Sequence, residues 1–251
     1  MTTRRLQQHY EDKYESASAG PPNLIPLGVK RPRDRYEAAC AFLPPLLPRN
    51  ADVLELGAGS GNVARSLVEG LPIRSYSLGD ISRPRLDAMR AGLGGEQYRF
   101  VEADADDVTE SLTDTYDAVV MIALIEHLVD PLGSMDAVRR VLKPGGFVYI
   151  DTPNIAKWTR RVKLALGRFP STASVNEGLT TYYGEPADLH DEGHLHYFTY
   201  RSLEQMLMDR CGFTHAQRLG YYPDPRLHGI GSRLAKTRPT LFSELACVAY
   251  A

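Results

Sequence analysis

Three stretches of the chain hold residues whose types and spacing can do chemistry. The first is VLELGAGSGN (53–62), where Gly57, Ala58, Gly59 and Gly61 follow a short apolar run. Glycines at such a point let the backbone approach a ligand closely, and the first N–H groups of a following helix point at it. Glu55, just ahead of the glycines, could meet a positively charged group. Asp80 lies 19 residues after Gly61, where a carboxylate can accept both hydroxyls of a ribose. Asp104, in EADADD, could accept from an adenine amino group.

The other two stretches are histidine sites. LIEHLVDP (124–131) carries His127, and DLHDEGHLHYF (188–198) carries His190, His194 and His196 among three acids. Imidazole exchanges a proton near neutrality, so either stretch could supply a general base, with Asp191 orienting a neighbouring ring. If the second stretch is extended, His194 and His196 share a face, as two metal ligands would. A closed metal site needs three or four ligands with outer support, so no metal is expected here. His127 has a plain structural alternative, an imidazole fixing the loop before Asp130 and Pro131.

Two nucleotide signatures compete for the glycine stretch. The dinucleotide fingerprint is GxGxxG, but the third glycine comes one place early and Asn62 occupies its position. No GxxxxGK(S/T) is present, which excludes a P-loop.

Alternating elements must position these residues. Short apolar runs at 51–56, 73–80, 98–104, 116–124 and 147–153 predict five strands. Helical spacing predicts helices between them. One precedes them, carrying Tyr36, Cys40, Leu43 and Leu47 and ending near Pro48. Another follows Ser82 as cap, and a third runs from Leu132 to Leu142 before the KPGG turn. Such alternation implies a parallel sheet with helices on both faces and ligands beyond the carboxyl ends of the strands. The pattern breaks from 155 to 198, as a lid or binding insertion would, and resumes with a helix at 203–211 and strands at 214–222 and 245–251. The expected division is 1–32 as N-terminal helix and linker, 33–154 as core, 155–198 as insertion and 199–251 as the end of the core.

Composition narrows the class. A net charge of −2 gives no general attraction for nucleic acid or anionic membrane. Arg160, Arg161, Lys163 and Arg168 cluster, which predicts a solvated helix face. No apolar run reaches membrane-spanning length, and the polar N-terminus lacks a signal core. Cys40, Cys211 and Cys247 are far apart with no CxxC pair, which fits a reducing cytoplasm.

Taken as a set, ELGAGSGN, Asp80 in LGDIS, Asp104 in EAD, LIEHLVDP and VLKPGGFVYIDTPN resemble class I S-adenosylmethionine-dependent methyltransferases. Closest are small-molecule enzymes of the ubiquinone-biosynthesis type and relatives in sugar and secondary-metabolite pathways. The resemblance implies a Rossmann-like seven-stranded, mostly parallel sheet with an antiparallel last strand, and S-adenosylmethionine as cofactor. It implies that Gly57–Gly61 pass under the amino acid portion of the cofactor, with Glu55 helping its ammonium. Asp80 would bind the ribose, Ile81 would pack on the adenine, and Asp104 and Ala105 would meet its edge. Ile122 and its neighbours would line the methionine side, and Tyr14, with Tyr10, would close over the cofactor.

Some ubiquinone-type relatives hold a divalent metal with two glutamates and a histidine near His127. Glu126 and His127 match the last two, but Ala123 stands where the first glutamate would be. A G-H-x-x-F/Y segment like that at His194 tends to pack toward the active-site mouth in the family. His194 is therefore the first candidate base and His127 the second, with His190, His196, Tyr182 and Trp158 on the acceptor side. The implied acceptor is a small molecule, most simply a hydroxyl. N- or C-methylation, a macromolecular acceptor and a non-catalytic cofactor-binding module remain as alternatives. No Asp/Asn-Pro-Pro-Phe/Tyr motif follows the fourth strand, which disfavours amine methylation of nucleic acid. Oligomeric state is left open.

Overall fold

The computed structural model describes residues 21–107, 112, 114–172, 194–222 and 228–251. Five strands form in the predicted order because each is a buried apolar run: β1 (Ala51–Leu56), β2 (Ile73–Asp80), β3 (Tyr98–Glu102), β4 (Tyr116–Ile122) and β5 (Leu142–Thr152). β6 (His215–Leu219) and β7 (Leu245–Tyr250) complete a seven-stranded sheet of order β3-β2-β1-β4-β5-β7-β6. The first five strands are parallel, and β7 runs antiparallel to both β5 and β6. Every residue of β1 is buried, as a central parallel strand covered on both faces requires.

Alternate side chains feed two cores. Leu54 and Leu56 pack with Val119, Met121 and Ile150 on one face. Val53, Tyr76, Val120 and Tyr149 pack on the other, under α1 (Arg35–Phe42) and α2 (Asn62–Gly70). α3 (Arg83–Gly92) links β2 to β3, and α4 (Pro131–Val141) links β4 to β5. Beyond β5 come α5 (Trp158–Ala165), α6 (Tyr200–Gln205), α7 (His228–Thr237) and α8 (Pro239–Phe242). No helix among the described residues is long and apolar enough to cross a membrane.

Several element limits differ from expectation for identifiable reasons. α1 ends at Phe42 rather than near Pro48, because Pro44 and Pro45 have no N–H to continue the helical ladder, although Leu43 itself keeps helical backbone and donates to the Ala39 carbonyl. Tyr36, expected on its apolar stripe, is exposed. The KPGG residues are taken into β5 instead of ending α4. There Gly146 sits where an added Cβ would lie 3.0 Å from the Asp117 carbonyl oxygen, at a register shift opposite β4. The predicted helix at 203–211 begins at Tyr200, under a Thr199–Ser202 capping box, and its last turn (Met206–Arg210) widens to π geometry.

The basic cluster is a solvated face only in part, since Arg161 is exposed. Arg160 and Lys163 are buried. Arg160 Nη1 and Lys157 Nζ both bond the buried carboxylate of Glu244, at 2.9 and 2.6 Å, tying α5 to the start of β7. These two cations and the Asn154 N–H hold Glu244 well below the usual carboxylate range.

Candidate active site

The strand order reverses between β1 and β4, and a crevice opens at their carboxyl ends, as it does in open α/β sheets. The crevice encloses roughly 700 Å³ including its mouth. Gly57 leaves β1 with φ +69°, a conformation an L side chain rarely adopts, and its N–H donates to Gly79 O at 2.8 Å. Gly61 (φ +73°) opens α2, and an added Cβ there would come within 2.8 Å of Leu93 Cδ1. The glycine turn therefore serves both backbone shape and close packing.

Asp80 ends β2 and Asp104 follows β3, and both line the crevice with Ile81 and Ala105. Asp80 is 6% exposed. Burial raises its carboxyl, while the Ser82 N–H (2.9 Å) and other backbone donors pull it back. Burial also raises Asp104. Ser82 holds the N-cap position of α3 but makes no side-chain cap bond. Two polar residues on this wall were not anticipated, Arg85 and Asp106. Asp106 accepts from the Val129 and Asp130 N–H groups at 2.9 Å, clasping the loop after β3 to the loop after β4. It is one acid among four in EADADD, and nothing in the sequence separates their tasks.

The other wall is Ala123, Leu124, His127 and Leu128. Here the chain brings together what the sequence held apart. The rings of His127 and His194 meet edge to face, with centroids 4.7 Å apart. Leu195 and His196 donate their N–H groups to the carbonyl of Glu126, at 2.8 and 3.1 Å. That contact pins His194 against the short turn Ile125–His127. Thr172 Oγ1 lies 2.6 Å from His194 Nδ1, a partner no motif announced. Glu126 is buried and its carboxyl is raised, chiefly by burial. Its Oε2 accepts from Thr152 Oγ1 at 2.9 Å, and its Oε1 has no hydrogen-bond partner among the described residues. One ligand atom from each of Glu126, His127 and His194 lies within 4.8 Å of the other two, so these three could hold a metal ion.

Other expected site residues lie elsewhere. Glu55 is not on the crevice wall: its side chain follows strand parity into the core, where it accepts from Tyr76 OH at 2.8 Å. Ile122 and Ala58 are buried in that same core, and Ala123 and Leu124 take the wall position instead of Ile122. His194 and His196 do not act as a facing pair, since His196 turns toward Phe198, 6.3 Å between centroids, while His127 joins His194. Trp158 is half-buried at the start of α5 and is not on the crevice wall. Tyr10, Tyr14, Tyr182, His190 and Asp191 lie outside the described residues.

The sheet order with its reversed seventh strand, and the crevice over a glycine turn, define a class I methyltransferase fold. A family model described as a methyltransferase domain matches residues 30–217, and the chain belongs to that family. The ubiquinone biosynthesis O-methyltransferase of Aliivibrio fischeri (strain MJ11) is 30% identical over 105 residues, 41% of this chain and 44% of that protein. The enzyme of the same name from Paracidovorax citrulli (strain AAC00-1) is 33% identical over 108 residues, 41% and 43% of the two chains. The chain thus spans less than half the length of these curated relatives. A solved S-adenosylmethionine-dependent methyltransferase from Mesorhizobium loti shares the fold with a TM-score of 0.59 at 20% identity, over 85% of this chain and 98% of that one.

Proposed function

We propose that the chain transfers the methyl group of S-adenosylmethionine to a hydroxyl oxygen of a small molecule, releasing S-adenosylhomocysteine. One observation carries this reading: Asp80, Asp104 and the Gly57 turn converge on a single crevice whose opposite wall holds an imidazole. The relatives named O-methyltransferases support oxygen as the receiving atom. A net charge of −2 supports a small acceptor over nucleic acid. Three free, buried cysteines fit a reducing cytoplasm.

The cofactor supplies a methyl group already activated on a sulfonium, so the protein's task is positioning, water exclusion and proton uptake. Its residues fit that task. Asp80 is buried yet on the wall, and it accepts the ribose hydroxyls. Ile81 packs on the adenine, while Asp104 and Ala105 meet its edge. The backbone from Gly57 to Gly61 carries the amino acid portion. Ala103, Leu124 and Leu128 keep water from the reacting atoms. As the new C–O bond forms, the sulfur keeps the electrons of the broken C–S bond. The hydroxyl proton passes to the cluster of His194 and His127, with His194 first because Thr172 fixes its ring. His196 and Trp158, with His190 and Tyr182, serve the acceptor side.

Calorimetry on the full chain tests the cofactor half directly. Both S-adenosylmethionine and S-adenosylhomocysteine should bind, one per chain. Asp80→Ala should weaken both by about ten-fold or more, the loss of a charge-assisted hydrogen-bond pair. If neither molecule binds the wild-type chain, the proposal is wrong.

A further inference from the structure

We propose that Arg85 is the positioning residue for ribose recognition: its guanidinium, standing over the glycine turn, sets the charge and orientation of the Asp80 carboxylate. The inference rests on the reading of Asp80 as the ribose acceptor and adds the group through which that carboxylate is made ready.

Three features of its placement carry the assignment. Arg85 lines the crevice from the first turn of α3, and among the described lining residues it is the one arginine or lysine, against Asp80, Asp104 and Asp106. Its Nη1 lies 4.0 Å from Asp80 Oδ2. That is beyond hydrogen-bond range, so Arg85 gives Asp80 a facing charge and leaves the Oδ2 lone pairs to a ligand. Asp80 Oδ1 is fixed separately, by the Ser82 N–H at 2.9 Å. The second feature is reach: a Cβ added at Gly59 would come 3.9 Å from Arg85 Nη1, so the guanidinium spans from Asp80 to the turn. The third is that Arg85 works against its own helix. A cation in a first turn meets the positive end of the helix dipole. The first turn of α3 holds Arg83 and Arg85 and no acid. Glu102 offsets Arg83 at 3.0 Å, and Asp80 stands in the same relation to Arg85.

Asp80 needs such a partner because it is 6% exposed and has lost most of its hydration. Burial raises its carboxyl, and the backbone donors and Arg85 draw it back. The other charged or titratable groups around this point give it no positive charge. Glu102, paired with Asp80 across β2 and β3, holds Arg83. Glu55 on β1 bonds Tyr76, and Tyr36 of α1 feels Arg85 itself. Asp104, beyond β3, is a like charge on the same wall. Removing the guanidinium therefore raises the Asp80 carboxyl further, and the anion that accepts the ribose hydroxyls is lost as pH falls.

Calorimetry with S-adenosylhomocysteine on the full chain, from pH 8 to pH 5, makes the test. Arg85→Met keeps the length of the side chain and removes its charge. Its affinity should stay close to wild type at pH 8 and fall about three-fold or more behind it at pH 5. Every other titrating group is common to both proteins, so the ratio isolates the effect on Asp80. Arg85→Lys should restore the wild-type profile. In an Asp80→Asn background, Arg85→Met should add no pH-dependent loss, since the group it acts through no longer titrates. If Arg85→Met fails to fold, Arg85→Gln makes the same comparison. Parallel wild-type and variant profiles, or the same pH-dependent loss in the Asp80→Asn background, overturn the proposal and leave the methyl-transfer reading standing. Failure of the wild-type chain to bind S-adenosylhomocysteine removes both.

Discussion

The carboxyl of Glu55 lies under the glycine turn, fully buried, with the Tyr76 hydroxyl as its partner. Burial pushes it up to about 8, against about 4.3 in an unfolded chain. Its folded pKa is raised, so its contribution to stability is full below the unfolded value and is lost as pH rises toward 8. Glu55→Gln keeps an acceptor for Tyr76 and has no proton to lose. In urea titrations from pH 5 to 8, the variant should therefore gain on the wild type steadily as pH rises; parallel profiles would refute a buried titrating Glu55. The sequence showed that an acid precedes the glycines. It did not show which way the strand turns that acid. Val53 and Glu55 share a parity, and that face of β1 meets Tyr76 rather than the crevice. Asp80 and Asp104 were legible because they stand where strands end, Asp80 as the last residue that β2 pairs with β3 and Asp104 just past β3, and both line the crevice.

At the scale of the element, α5 shows what a local reading misses. Its run of basic residues looks like a solvated surface, because the balancing charge, Glu244, lies 84 positions from Arg160. Once the sheet closes, Glu244 sits between Arg160 and Lys157. Glu244→Ala would leave two buried cations facing an empty place, and denaturant titration should show a loss of about 3–5 kcal/mol. A loss under about 1 kcal/mol, the range of an exposed pair, would contradict the burial seen here. Because Glu244 is held below its usual range, its stabilising effect is present above the unfolded carboxylate pKa and is lost as pH falls into the acid range. Strands were easier to foresee than α5, since a buried parallel strand declares itself by its own apolar run. The KPGG residues in β5 needed their partner strand β4 to be placed, whereas the end of α1 at Pro44–Pro45 is a local effect of the prolines themselves.

The whole molecule divides its charges between the two ends of one sheet. At the amino ends of the strands, Asp52 accepts from Arg74, Ser75 and Lys143, and Lys143 also reaches Asp117 at 2.7 Å. The bond to Arg74 leads the interactions that hold Asp52 below its usual range. The carboxyl ends carry the crevice. Asp52→Asn should lower the thermal midpoint yet leave S-adenosylmethionine affinity unchanged in calorimetry; a change in affinity would mean that the two ends are coupled. Alternation of strands and helices made this architecture legible from residue types alone. The assembly of Glu126, His127 and His194 was not, because it depends on where the chain returns after position 172. Thr172 and His194 stand side by side although 22 positions separate them, and their neighbours hold them in place: the Ser171 carbonyl accepts from Arg160 Nε, and the Leu195 N–H donates to the Glu126 carbonyl. The two ends of the intervening stretch are thus moored separately, one to α5 and the other to the turn Ile125–His127.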